Sequence, residues 1–130
     1  MKYLFSLLAL VLIFSCGDDN EEPSMTACQQ ANIIGVYQGN QSIGPNASTS
    51  EDVTISTNGD EITINIPCIS IPITANLNEC SITIPETESP GGSTFSGTGN
   101  LTETVTITSL TLTVVLDGPN NCTFDGSKMN

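Results

Sequence analysis

Apolar and hydroxylated residues alternate along most of this chain, and that alternation confines what it can fold into. Thr54 separates Val53 from Ile55, and Thr63 and Asn65 separate Ile62, Ile64 and Ile66. Ile71, Ile73, Ala75 and Leu77 follow the same rule, as do Leu110, Leu112, Val114 and Leu116. Successive side chains of a strand point to opposite faces, so each set shares one buried face. Thr on the other face suits an exposed pleat, because its branched side chain packs well there. No window beyond residue 26 has a helical period.

Turn residues divide this pattern into strands. Ile33 to Asn40, with Val36 and Tyr37, reads as the first, and residues 41–50 as a long loop rich in Ser, Asn, Gly and Pro. Asn58-Gly59-Asp60 marks a hairpin, since Asn and Gly tolerate positive φ. Pro67 and Pro72 bracket a bend, because proline cannot donate to a central ladder. Asn78-Glu79 turns the next strand, after which Cys80, Ile82 and Ile84 run back. Residues 85–93, with Pro85, Pro90, Gly91 and Gly92, read as a second long loop. Phe95, Gly97, Gly99 and Leu101 share an inward face, and glycines at alternate positions imply a bulge or sharp curvature. Val105 and Ile107 then lead into Leu110, with the turn placed either near Thr102-Glu103 or near Ser109. Asp117 to Asn121 is a turn, and Cys122 to Asp125 a last strand too short to orient Phe124.

Short turns favour a sequential meander of seven or eight antiparallel strands. Thr-rich strands with open edges invite aggregation, and closing the sheet removes the edges. The fold expected is all-β: a single antiparallel meander barrel, with a β-sandwich second. Gly35-Val36-Tyr37 is similar to the lipocalin Gly-x-Trp, with Tyr in place of Trp. Thr94-Phe95-Ser96-Gly97-Thr98-Gly99 is also similar to the pattern before the late strands of that family. Residues 33–125 thus resemble the lipocalin-like domains of small bacterial lipoproteins. The resemblance implies a barrel holding a small apolar or amphipathic ligand in its mouth.

The first segment concerns location. Met1-Lys2 is a minimal positive region, and Tyr3 to Phe14 is almost wholly apolar. About a dozen such residues match a signal peptide, whereas a membrane span needs about 20. Ile13, Ser15 and Cys16 match the lipobox of bacterial lipoproteins, whose Cys is acylated and becomes the first mature residue; Phe14 is bulkier than usual there. An ordinary secretion signal, with Cys16 left as a thiol, is the rival reading. The domains expected are a signal peptide over 1–15, an acidic tether with lipidated Cys16 over 16–25, and an all-β domain over 26–130. Cys16-Gly17-Asp18-Asp19-Asn20-Glu21-Glu22 resembles the start of Bacteroidota surface lipoproteins. That resemblance implies an outer-membrane protein exported to the cell surface; a spacer on its periplasmic face is the alternative.

Charge and residue types exclude several functions. The net charge is −12, from fourteen Asp and Glu against Lys2 and Lys128. Such a surface repels phosphate backbones, so no nucleic-acid partner is expected. It also repels anionic headgroups, leaving the acyl chains on Cys16 as the membrane contact. The chain has no His, hence no Ser-His-Asp or Cys-His pair, and no enzyme is expected. Lys128 lies too near the terminus to serve as a base. Asp60-Glu61, Asp117 and Asp125-Gly126 are hard oxygen donors, but their spacing is not that of a calcium loop. No metal or cofactor is expected. Without Trp, and with Tyr37, Phe95 and Phe124 alone among mature aromatics, a sugar-stacking platform is disfavoured.

Cys28, Cys68, Cys80 and Cys122 are an even set in an exported domain, which reads as two disulfides. Zinc would want a C-x-x-C pair or His, and neither is present. A meander whose first strand starts at the bottom puts Cys28 and Cys80 at the bottom, and Cys68 and Cys122 at the top. Cys68 and Cys80 would then be a strand apart, about 20 Å, too far to bridge. The pairing expected is Cys28–Cys80 and Cys68–Cys122. Cys28–Cys122 with a local Cys68–Cys80 loop follows instead if residues 71–77 are not a full strand. Function is left between two classes. One is a non-catalytic binding module for a small apolar ligand. The other is a structural or protein-interaction domain whose loops 41–50 and 85–93 meet an envelope partner. Large inward residues argue for the second, and a run of small ones for the first.

Overall fold

A computed structural model describes residues 28, 30–103, 108–118 and 120–130. The signal segment, the tether and Cys16 lie outside the described residues, as do Val105 and Ile107. A single helical turn, α1 (Gln30–Ile33), leads into eight strands. They are β1 (Gly35–Ile43), β2 (Thr49–Asn58), β3 (Glu61–Asn65), β4 (Ile73–Asn78), β5 (Ser81–Glu88), β6 (Thr94–Glu103), β7 (Thr108–Leu116) and β8 (Asn121–Lys128). Each strand pairs antiparallel with the next, and β8 pairs with β1, so the meander closes into a barrel in strand order. With the start of β1 at the bottom, loops 44–48, 66–72, 89–93 and 117–120 form the top rim. The eight described strands and both disulfides belong to one closed barrel.

The alternating sets face inward as their period requires. Val53, Ile55, Ile62, Ile64, Ile73, Ala75, Ile82, Ile84, Leu110, Leu112 and Val114 are all buried. An eight-stranded barrel is just wide enough for side chains to fill, and branched residues fill this one. Phe124, which the sequence leaves unoriented, also points inward and is buried.

Several boundaries differ from the sequence reading. β1 starts two residues later than Ile33, which belongs to α1, and it continues through Gln41, Ser42 and Ile43. The first long loop therefore shrinks to residues 44–48. Polar residues hide this strand end, because inward Gln41 finds a partner: its Oε1 accepts a hydrogen bond from the Cys68 N–H at 3.2 Å. The second long loop shrinks to 89–93, because β5 runs through Pro85 to Glu88. There the register shifts between Ile84 and Thr87, so Pro85 and Glu86 together face Ser96. A bulge of two residues against one tolerates a proline that a regular ladder would reject. β8 extends to Lys128 rather than ending at Asp125, and Cys80 lies in the β4–β5 turn rather than on β5. β6 and β7 pair as far as Glu103 and Thr108, and the connection between them lies outside the described residues.

Closure needs a close approach of β1 and β8. Gly39 lies opposite Gly126, and a Cβ on Gly39 would sit 2.1 Å from the Asp125 carbonyl oxygen. A Cβ on Gly126 would sit 2.5 Å from Cζ of Phe124, whose ring covers it. Any side chain at Gly39 would push the closing seam apart.

Tyr37 plugs the lower end. It is fully buried, and its hydroxyl donates to the Ile33 carbonyl at 2.7 Å, fixing α1 beneath the barrel. Burial, and then the Glu103 carboxylate, push its pKa up from 10.0 to about 12. The folded state thus holds the phenolic proton more tightly than the unfolded chain does. This contribution to stability is complete below about pH 10 and is lost as pH rises towards 12, a change of about 2 kcal/mol. Residues 24–130 contain one tyrosine. Their phenolate absorbance should titrate near pH 12 when folded and near 10 in denaturant, and Tyr37→Phe should flatten the alkaline fall in stability. A folded midpoint near 10 would contradict this.

Candidate functional site: the rim cleft

Two disulfides join distant parts of the chain, in the pairing expected from strand parity. Cys28–Cys80 has a Cα–Cα distance of 4.9 Å and closes the bottom, tying the entry of the chain to the β4–β5 turn. Cys68–Cys122 has a Cα–Cα distance of 6.4 Å and ties the β3–β4 loop to the start of β8 at the top. Residues 73–78 do form a strand, and the local Cys68–Cys80 alternative falls with that.

β4 is thinly paired. Three register pairs join it to β5, namely Asn76↔Thr83, Leu77↔Ile82 and Asn78↔Ser81, all at the lower end. Above them β4 follows β3, while β5 follows β6. The two strands diverge, and a cleft of about 500 Å³ opens at the top rim over the split. One wall is the β3–β4 loop with Ile69, Ser70 and Ile71; the facing wall is Ser89, Pro90, Gly91 and Ser93. Phe95 and Leu116 supply its apolar floor, and Asp117 and Thr94 its polar end. Cys68 also lines it, so the upper disulfide holds one wall in place.

The polar end has a defined geometry. Asp117 Oδ2 accepts from the Thr94 N–H at 2.9 Å, and Oδ1 accepts from the Thr94 hydroxyl at 3.1 Å. Both bonds cross from the β7–β8 loop to the start of β6, so the carboxylate is held in one orientation. A smaller cleft of about 200 Å³ continues over the outer surface, sharing Thr94, Phe95, Leu116 and Asp117 and adding Glu86 and Val115. The volume of the main cleft is within the range of small-molecule sites. Its lining offers apolar contact and a few oxygen acceptors. Among the described residues no group of three or more His, Cys, Asp or Glu side chains could hold a metal ion.

Asp117 is a turn acid in the sequence, and the structure sets it in the cleft. Asp60, Glu61 and Asp125 are not among its lining residues. The cleft itself has no local sequence signal, because its lining is assembled from the β3–β4 and β5–β6 loops, the start of β6 and the end of β7. The inward glycines Gly97 and Gly99 leave no space of their own: a Cβ on Gly97 would meet the Thr113 carbonyl oxygen at 2.4 Å, and one on Gly99 would meet Cδ2 of Leu112 at 2.4 Å. No family model matches the chain, and neither a curated protein nor a solved structure does.

Replacing Cys68 and Cys122 together by Ser should lower unfolding stability by about 2–4 kcal/mol, measured by urea denaturation. Amide exchange should rise across residues 66–72 before it rises at the base. Equal protection of this loop with and without the disulfide would show that other contacts hold the wall.

Proposed function

We propose that this chain is a lipid-anchored lipoprotein of the cell envelope acting as a non-catalytic binding module. Its small apolar or amphipathic ligand would lie in the rim cleft rather than within the barrel. The observation that carries this reading is the 500 Å³ cleft with an apolar floor above an interior already filled by side chains. An interior lined by large buried side chains leaves little room for a deep seat, which supports a ligand held in the mouth, where the lipocalin resemblance also puts it. Support for the anchor comes from the sequence: a short apolar run ending Ile13-Phe14-Ser15-Cys16, then an acidic tether of the Bacteroidota surface type. Two or more acyl chains on Cys16 would hold stably, where one is marginal. The location proposed is the outer membrane, on the cell-surface side. Residues 16–27 are too short to let the barrel stray far from its anchor.

The filled interior also favours a second reading, a solid disulfide-stapled domain that meets an envelope protein through its top loops. Binding separates the two. Oxidised residues 24–130, incubated with host-cell extract, should retain a small molecule in native mass spectrometry. Ser93→Trp, which fills the cleft from an exposed position, should abolish it. No retained molecule from any extract would favour the interaction domain. The anchor has its own readout: labelled palmitate should enter the full chain and fail to enter Cys16→Ala. Incorporation unaffected by that change would overturn lipidation at Cys16.

A further inference from the structure

Acids stand at both rims of the barrel, while the one ammonium among the described residues is at the bottom. The described residues include ten carboxylates and one ammonium, that of Lys128. Lys128 is at the bottom, opposite Tyr37, and its Nζ donates to the Asn32 carbonyl at 2.6 Å. At the cleft end the charges are all of one sign. Asp117 stands where the main cleft meets its outer extension, Glu86 lines that extension, and Glu88 ends the adjoining strand. An anionic ligand there would meet several carboxylates with no cation to compensate. Like charges repel, and these exposed carboxylates meet no opposing charge at this end of the barrel.

Resting on the binding function proposed above, we infer that the rim cleft selects a small amphipathic cation. Its apolar body lies on Ile69, Ile71, Phe95 and Leu116, and its positive head lies beside Asp117. The two hydrogen bonds from Thr94 already orient this carboxylate. Each of its oxygens can accept more than one bond, so both remain able to receive an ammonium donor. A charge-assisted bond of this kind is stronger than a neutral one, and an ordered acceptor loses little entropy on binding. Glu86, one short step along the outer cleft, adds attraction over a distance well inside the Debye length.

The test uses three probes with one eight-carbon tail and different heads: octylammonium, octanol and octanoate, each below its aggregation limit at pH 7. Isothermal titration calorimetry on oxidised residues 24–130 should rank octylammonium tightest, at least about tenfold above octanoate, with octanol between. Octylammonium affinity should fall as salt rises, while that of octanol should not. Asp117→Asn keeps an oxygen acceptor for Thr94. It should weaken octylammonium by about three- to tenfold and leave octanol unchanged, which also reports that the cleft is intact. Ser93→Trp should remove binding of all three. Octanoate equal to or tighter than octylammonium would overturn the inference, as would octylammonium binding that survives Ser93→Trp. If none of the probes binds while the extract ligand still does, the ligand class is wrong and the binding function stands. If neither binds, both fail.

Discussion

The pairing of the last strand with the first governs the rest of this structure. Seven register pairs, from Tyr37↔Lys128 to Ile43↔Cys122, join segments that are among the most distant in the described chain. Without them β1 and β8 would be open edges, and the buried isoleucines would face water along the gap. The close approach depends on Gly39 and Gly126 standing opposite each other, because backbone atoms occupy the volume a side chain would need. Such a contact closes a long loop of chain, and non-local pairing of this kind slows folding.

The disulfides act on the opposite part of the barrel. β4 is the strand with the thinnest pairing, three register pairs on each side. Cys68 precedes it and Cys80 follows it, so each end of β4 is tied covalently to a remote part of the chain. One disulfide reaches the entry segment and the other reaches β8, both beside the closing seam. The covalent bonds thus supply constraint where hydrogen bonds are fewest. Above the three pairs that join β4 to β5, the loops that follow β3 and β5 wall the cleft.

Much of the fold was legible because period-two alternation survives in short, Thr-rich strands. The parity of the meander then placed four cysteines at two rims and favoured the observed pairing over a local Cys68–Cys80 loop. Strand ends were less legible. Gln41 is polar yet inward, its side-chain oxygen taken up by the Cys68 N–H, and no local pattern announces that. Pro85 reads as a loop residue, and the bulge that accommodates it depends on the register of β6. The glycines of β6 left open whether the barrel has internal space, and Leu112 and the Thr113 carbonyl close over them. Asp117 was visible as an acid in a turn; its place in a cleft depends on Thr94, 23 residues earlier in the chain.

An even number of strands returns the chain to the side from which it came. Cys28 and the residues after Lys128 therefore share the lower end, and the cleft occupies the upper one. Anything attached at either end of the barrel, a linker, a lipid or a fused partner, meets the face away from the opening. The chain ends of the barrel and its cleft lie at opposite rims, and the topology alone keeps them apart.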